Sequence, residues 1–201
     1  MAEAQRLRAE DRRNALIDAA AALVAAGGVE AASMEAVAAR ANVSRPLVYK
    51  HFANRHELLA AVYRRQATEL DAAISAAVGR AEGFEDKIRA LVRSTLEAVT
   101  THGPIFTPLA RAGVRDASFR KEQRARDRRT VRFFARLAMA EYALAEAEAT
   151  AATAVLLTGL ESVRAQARNR PGPERRRFLE DVYVDLVVGG LANLGAAEPS
   201  H

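Results

Sequence analysis

Between Ser33 and Phe52 the chain leaves room for two short helices and only three residues to join them. Ser33 can cap a helix over Met34–Ala41, because its hydroxyl can accept an orphan amide of the first turn. Asn42-Val43-Ser44 then forms a tight turn, since Asn tolerates the left-handed conformation and Ser44 can cap the second helix. Pro46 falls in the first turn of that second helix, where its missing amide is no loss. The helix runs through Val48 and Tyr49 to Phe52. So short a connection forces the two helices together. Val37, Ala38 and Ala41 face inward from the first and Val43, Val48 and Phe52 from the second, and small Ala38 lets the backbones close into a helix-turn-helix.

The remainder also reads as helix. Alanine is the dominant apolar residue, and the 201 residues include only 11 Gly and 6 Pro, a balance that favours helix over sheet. The fold class is therefore all-α. A first helix spans about Asp11 to Ala26, with Leu16, Ala19, Ala20 and Leu23 at helical spacing, and Gly27-Gly28 stops it. After Asn54 a helix carrying Leu58, Leu59, Val62, Leu70, Ile74 and Val78 runs to about Gly79, and Phe84–Thr101 comes next, ended by His102-Gly103-Pro104. Ile105–Gly113 holds Pro108 and is brief or broken. Ser118 to about Leu144, Ala147–Arg168 and Pro173–Leu194, the last after the Pro171-Gly172-Pro173 breaker, bring the number to about nine. The chain divides into an N-terminal three-helix domain, residues 1–56, joined to a larger helical domain, residues 57–201.

Several function classes drop out. Without cysteine there is no disulfide scaffold, thiol catalysis or Cys-type zinc site. There is no Gly-rich phosphate loop, HExxH helix or nucleophile elbow, and His51, His56, His102 and His201 lack metal-ligand spacing. No catalytic residue, metal or cofactor is expected. The first turns mix Arg with Glu, unlike a signal peptide, and apolar Ala19–Ala26 is far shorter than the ~20 residues of a membrane span. A cytoplasmic chain with no membrane partner is expected. The net charge of +5 suits a phosphate-rich partner without establishing one. Residues 1–65 carry ten basic against seven acidic side chains, whereas residues 111–136 carry ten against three.

Outward from the second helix of the motif stand Ser44, Arg45, Pro46, Leu47, Tyr49, Lys50 and His51, a compact set of hydroxyls, cations and small apolar tips. A helix that reads base edges in a major groove needs such a set. Taken singly each has a plainer reading: Tyr49 a half-buried aromatic, His51 a satisfied helix-end histidine, Lys50 and Arg55 solvated charges. The ordered set is what resembles the tetracycline-repressor (TetR) family of bacterial regulators, through Leu23, Gly28, Ser33, Val37-Ala38, Ala41-Asn42-Val43-Ser44, Val48-Tyr49-Lys50-His51-Phe52, Arg55 and Leu58. Asn42 stands where that family usually has Gly, Val48 where it has Leu, Arg55 where it has Lys, and Ala32 where a Thr is common. The resemblance implies that Arg45 reads bases, that Pro46 and Leu47 touch thymine methyls, and that Ser44, Tyr49, Lys50 and His51 hold phosphates. Ser33 and Met34 would contribute through the start of their helix, and Arg55 would clamp a phosphate at the start of the next. Arg6, Arg8, Arg12 and Arg13 form either a solvated terminus or an arm toward the minor groove.

The last two helices carry apolar residues that one small bundle struggles to cover: Leu156, Leu157, Leu160 and Val163 on one, Phe178, Val182, Leu186 and Leu191 on the other. Gly159, Gly189 and Gly190 lie in the same helices, where glycine costs about 1 kcal/mol against alanine and close backbone approach would offset the loss. A tight intramolecular crossing is one explanation. The family resemblance implies another, a four-helix interface of a homodimer built around Leu156, Gly159, Leu160, Val163, Phe178, Val182, Leu186, Gly189 and Gly190. Such a dimer would set two reading helices on a palindromic double-stranded DNA operator. The resemblance also implies a small-molecule effector among the helices of about 84–165, with Leu91, Thr95, Val99, His102, Phe106, Leu109, Phe133, Phe134, Leu137 and Tyr142 as candidate lining or, equally, core. The arginine run Arg111–Arg136 is a solvated face or, with Arg111 and Arg115, a site for an anionic effector such as a carboxylate or a phosphate-bearing thioester. The expectation is a ligand-responsive dimeric repressor; the alternatives are an effector-independent DNA-binding protein, or a helical enzyme or adaptor with a relic motif.

Overall fold

The computed structural model describes residues 2–111 and 117–196, with side chains for 9–103, 105–109 and 120–196. Among the described residues there are nine helices and no strand. They are α1 (Ala2–Ala31), α2 (Met34–Arg40), α3 (Arg45–His51), α4 (Arg55–Arg80), α5 (Gly83–Thr101), α6 (Gly103–Arg111), α7 (Ala117–Tyr142), α8 (Glu146–Asn169) and α9 (Pro173–Ala196). Two compact units result: Met1–Glu69 with His102–Arg120, and Leu70–Thr101 with Lys121–His201.

In the first unit α1 starts nine residues earlier than its apolar spacing suggests, at Ala2. Its regular part ends where expected, at Gly27 and Gly28; Gly28 takes φ +74°, a left-handed backbone that glycine adopts without steric cost. Within Ala9–Ala31 an 18-residue stretch reaches a mean hydropathy of 1.3, long and apolar enough by length and composition alone to cross a membrane. Yet Leu16, Ile17, Ala20 and Val24 are almost wholly buried against Val37, Val48, Phe52, Leu58 and Val62, so this is the core helix of the unit.

The same core contains fully buried Leu109, with Ile105 packed on it. Helix α6 therefore folds with α1 in the first unit, and its place in a single domain 57–201 needs correction. Nor does Pro108 break α6. In a helix this short its missing N–H loses one bond, to the carbonyl four residues back in the first turn.

The second unit builds its own core from Phe84, Ile88, Val92, Leu96, Phe134, Ala138, Leu160, Val163, Tyr183, Val184, Val187 and Leu191. Here α5 is strongly two-faced, with Phe84, Ile88, Leu91, Val92, Thr95, Leu96 and Ala98 on its buried side, a 3.6-residue stripe that must be covered by other helices. The buried Tyr183 hydroxyl donates to the Leu156 carbonyl, tying α9 to α8, and burial pushes the phenol well above its ordinary range. Glu180 is also buried, and its two carboxylate oxygens accept from Arg93 Nη2 at 2.7 Å and Nε at 3.2 Å. At Gly195, which was not among the glycines singled out from sequence, a Cβ would collide with the Tyr142 carbonyl oxygen. That is a true close approach; Gly189 and Gly190 meet nothing within 4 Å.

Candidate nucleic-acid interface

The α2–α3 turn closes by local chemistry. The Ser33 hydroxyl accepts from the Ala36 amide at 3.0 Å. At the far end of α2, Asn42 takes φ +53° while its amide bonds to the Ala39 carbonyl at 3.2 Å and the Val43 amide to Ala38 at 3.0 Å. This pair of bonds around a left-handed residue is the Schellman stop, normally built on glycine, so Asn42 fills the role directly. Ser44 occupies the cap position of α3 but makes no side-chain cap bond, contrary to expectation. The next helix is fixed reciprocally: the Asn54 side chain accepts from the Glu57 amide at 2.9 Å and the Glu57 carboxylate from the Ala53 amide at 2.8 Å, a variant of the capping box.

With Val48 and Phe52 buried, α3 turns Ser44, Arg45, Pro46, Tyr49 and Lys50 outward; Leu47 and His51 are half-exposed. Arg45 Nη2 lies 2.6 Å from Glu35 Oε1 on α2 and donates to the Tyr49 hydroxyl at 3.4 Å. The guanidinium carbon sits 5.5 Å from the Tyr49 ring centre. These partners hold Arg45 more firmly protonated than usual, Tyr49 most and Glu35 next. His51 binds its proton less readily than a free imidazole, through burial first and then the charges of Lys50, Arg12 and Arg13. Arg12 and Arg13 are exposed on α1, and Arg13 lies 4.9 Å from the Phe52 ring centre. Residues from α1 and α3 thus share one basic patch that sequence spacing did not reveal. Arg6 and Arg8 lie outside the described side chains.

Two members of the sequence set sit differently. Met34 is buried in the core, so its side chain is packing and only its backbone lies at the helix start. Arg55 Nε donates to the Ala32 carbonyl at 3.0 Å and Nη2 to the Val29 carbonyl, with Glu30 at 3.4 Å. Its guanidinium braces the segment between α1 and α2.

The candidate effector residues fall into both units. His102, Phe106 and Leu109 belong to the first, where Phe106 meets Tyr63 edge-on at 5.2 Å and His102 Nδ1 lies 3.3 Å from Gln66 Oε1. In the second, Leu91, Thr95 and Phe134 are buried, Val99, Leu137 and Tyr142 are half-buried, and Phe133 is exposed. A cavity of about 190 Å³ in this unit is lined by Arg93, Leu96, Glu97, Pro173, Arg176, Arg177 and Glu180. It includes none of the ten candidates and is smaller than usual for a drug-sized ligand. On α7, Lys121, Arg124, Arg128, Arg132 and Arg136 are exposed as a solvated stripe at three- and four-residue spacing. Arg111 and Arg115 lie outside the described side chains.

The candidate dimer residues separate by face. Leu160 and Val163 are buried inside the unit, so they cannot face a partner, and Leu156 and Gly159 are half-exposed. Phe178, Val182 and Leu186 are exposed, Leu186 at 67%, as are Gly189 and Gly190. On α8 the large apolar side chain left exposed, among the described residues, is Val155, at 72%, outside the candidates expected from sequence. Its signal is faint, one β-branched residue in a run of Ala and Thr.

Comparison with known proteins meets this geometry at its first unit. Residues 16–62 match the family model for bacterial regulatory proteins of the tetR family. The chain is 32% identical over 94 residues to the HTH-type transcriptional activator FasR of Mycolicibacterium smegmatis, covering 47% of this chain and 43% of FasR. It is 39% identical over 70 residues to the HTH-type transcriptional repressor KstR of Mycobacterium tuberculosis, covering 35% and 30%. The chain thus spans less than half the length of either relative. Among solved structures the fold is shared with AibR, determined with isovaleryl coenzyme A and operator DNA, at a TM-score of 0.60 and 18% identity over 87% of this chain and 97% of AibR. Residues 16–62 thus carry the sequence pattern of the bacterial regulatory proteins of the tetR family, and the fold of most of the chain is shared with AibR.

Proposed function

We propose that this protein is a cytoplasmic, homodimeric transcriptional regulator, without catalytic activity, that represses from a palindromic operator and is released by a small-molecule effector. The observation that carries the reading is the exposed face of α3: Arg45, Pro46, Tyr49 and Lys50 stand outward from a short helix whose other side is locked in the core. An α-helix with such a face fits the major groove, where arginine can grip guanine O6 and N7 with two bonds. Ser44, Leu47 and His51 complete the contact, with Ser33 and the backbone at Met34, and Arg12 and Arg13 add phosphate contacts.

Residues 1–56 hold the DNA-reading machinery and the rest serves effector and dimer. The dimer reading is supported by Phe178, Val182 and Leu186 on α9 and Val155 on α8, large apolar side chains left uncovered. Selection of binding sites from random duplex DNA, followed by anisotropy on the winners at two salt concentrations, tests the reading. A palindrome bound well above random DNA is expected. Binding without preference that falls away in salt would leave only arginine–phosphate attraction.

An effector-independent regulator is favoured by one observation, the burial of Leu91, Thr95 and Phe134 among their neighbours. The two readings part on operator release by isovaleryl coenzyme A and related acyl thioesters, chosen because AibR is described with that ligand.

A further inference from the structure

We propose that the arginine row of α7 is a second, sequence-independent holding surface for double-stranded DNA, working through phosphates alone. Lys121, Arg124, Arg128, Arg132 and Arg136 recur at three- and four-residue steps and are all exposed, so they fall on one ridge of the helix. From Arg124 to Arg136 the ridge runs about 18 Å. Beneath it Phe134, Ala135 and Ala138 are buried in the core of the second unit, which fixes the ridge outward. Like charges four residues apart destabilise a helix, and nothing local offsets them. The positions three and four residues from Arg128, Arg132 and Arg136 hold Arg, Ala, Val, Phe and Met, and no carboxylate. Elsewhere in the unit the chain does supply one: Arg89 meets Glu85 at 3.1 Å, Arg164 meets Glu161 at 2.7 Å, and Arg126 of α7 itself meets Asp71 at 2.8 Å. Arg124, Arg128, Arg132 and Arg136 make no ion pair among the described residues.

A row of cations left open over about three turns calls for a partner with repeated negative charge. A small anionic effector needs donors that converge, whereas these side chains stand one after another along a convex ridge. Duplex DNA carries a phosphate about every 3.4 Å along each strand, so several lie within the length of the row. Four of the five cations are arginine, whose planar fork takes phosphate oxygens in pairs. No base edge is read this way, so the row adds affinity for any duplex and leaves the choice of sequence elsewhere. The helix-turn-helix of the first unit makes duplex DNA the polyanion this chain is expected to meet. The row's own binding does not require that Arg45 read bases.

The test is the full chain carrying Arg128→Gln, Arg132→Gln and Arg136→Gln together, beside a control with Arg80→Gln, Arg168→Gln and Arg170→Gln. The control removes the same charge from exposed sites outside the row. Both are titrated by anisotropy on random duplex over a series of salt concentrations, with thermal melts to confirm folding. The row variant should bind about ten-fold more weakly, and its slope of log Kd against log salt should be shallower by about two, since each lost phosphate contact removes about 0.9. The control should keep the wild-type slope, and sites selected from random DNA should be the same for the row variant as for the wild type. The loss should persist when Arg45 is Ala, which separates this surface from the reading of α3. Equal losses in the row variant and the control would overturn the proposal, leaving only the general field of three removed charges. An unchanged slope in the row variant would overturn it as well. So would a loss of binding to phosphatidylserine vesicles or polyglutamate with duplex binding intact, which would give the ridge to another polyanion. Should the triple variant fail to fold, Arg132→Gln alone is expected to lower the slope by about 0.9.

Discussion

The two surfaces on which the proposed function rests are built on opposite terms. The α3 face is polar and belongs to a helix of seven residues held between local stops: Asn42 ends α2, Pro46 lies in the first turn of α3, and Asn54 starts α4. The α8–α9 face is apolar and belongs to two helices of 24 residues each. Nothing local in those helices says which side will be covered. Leu160 and Leu186 look alike in sequence, yet one is 7% exposed and the other 67%. A short element fixed at both ends has one way to face. A long amphipathic or all-apolar helix faces wherever its neighbours leave room.

The comparison breaks most forcefully at the core beneath α3. Phe52→Ala removes a fully buried ring and should destabilise the first unit by about 3–5 kcal/mol in denaturant titration, abolishing DNA binding with it. Retained binding would mean the α3 face does not depend on its packing. On the other surface, Leu186→Arg should leave the fold near its wild-type stability while weakening self-association by about 2–4 kcal/mol, seen as a shift to monomer in sedimentation. An unchanged dimer would move the interface away from α9.

Arg45→Ala should weaken the operator by about 1–3 kcal/mol, confined to particular base positions. Arg55→Ala sharpens the contrast between reading and bracing. It should lower the stability of the protein by about 1–2 kcal/mol, because two backbone carbonyls lose a charged donor that is itself one-third exposed. A loss of DNA affinity with an unchanged melt would instead make it a phosphate clamp.

The smallest effect concerns His51. Its proton is held less tightly in the folded chain than the ordinary 6.5, so below that value the unfolded chain takes up more protons. Stability falls as pH drops through the window between 6.5 and the depressed value, and the loss is complete below it. The change should be small, and His51→Asn should remove it from melts taken between pH 7.5 and 5.

Residue order alone determined the helical class, the stops at Gly27-Gly28 and Asn42, and the outward set on α3. Each arises from short-range sterics and capping bonds within four residues. Tertiary packing decided that Met34 is core, that Arg55 spends its donors on Val29 and Ala32, and that Glu35 meets Arg45. It also decided that α6 folds with α1, and that Val155 rather than Leu160 is left uncovered. These outcomes depend on partners distant in the chain, from about 10 residues for Glu35 and Arg45 to more than about 70 for α6 and α1. Helical periodicity marks an apolar side but carries no information about which neighbour will cover it.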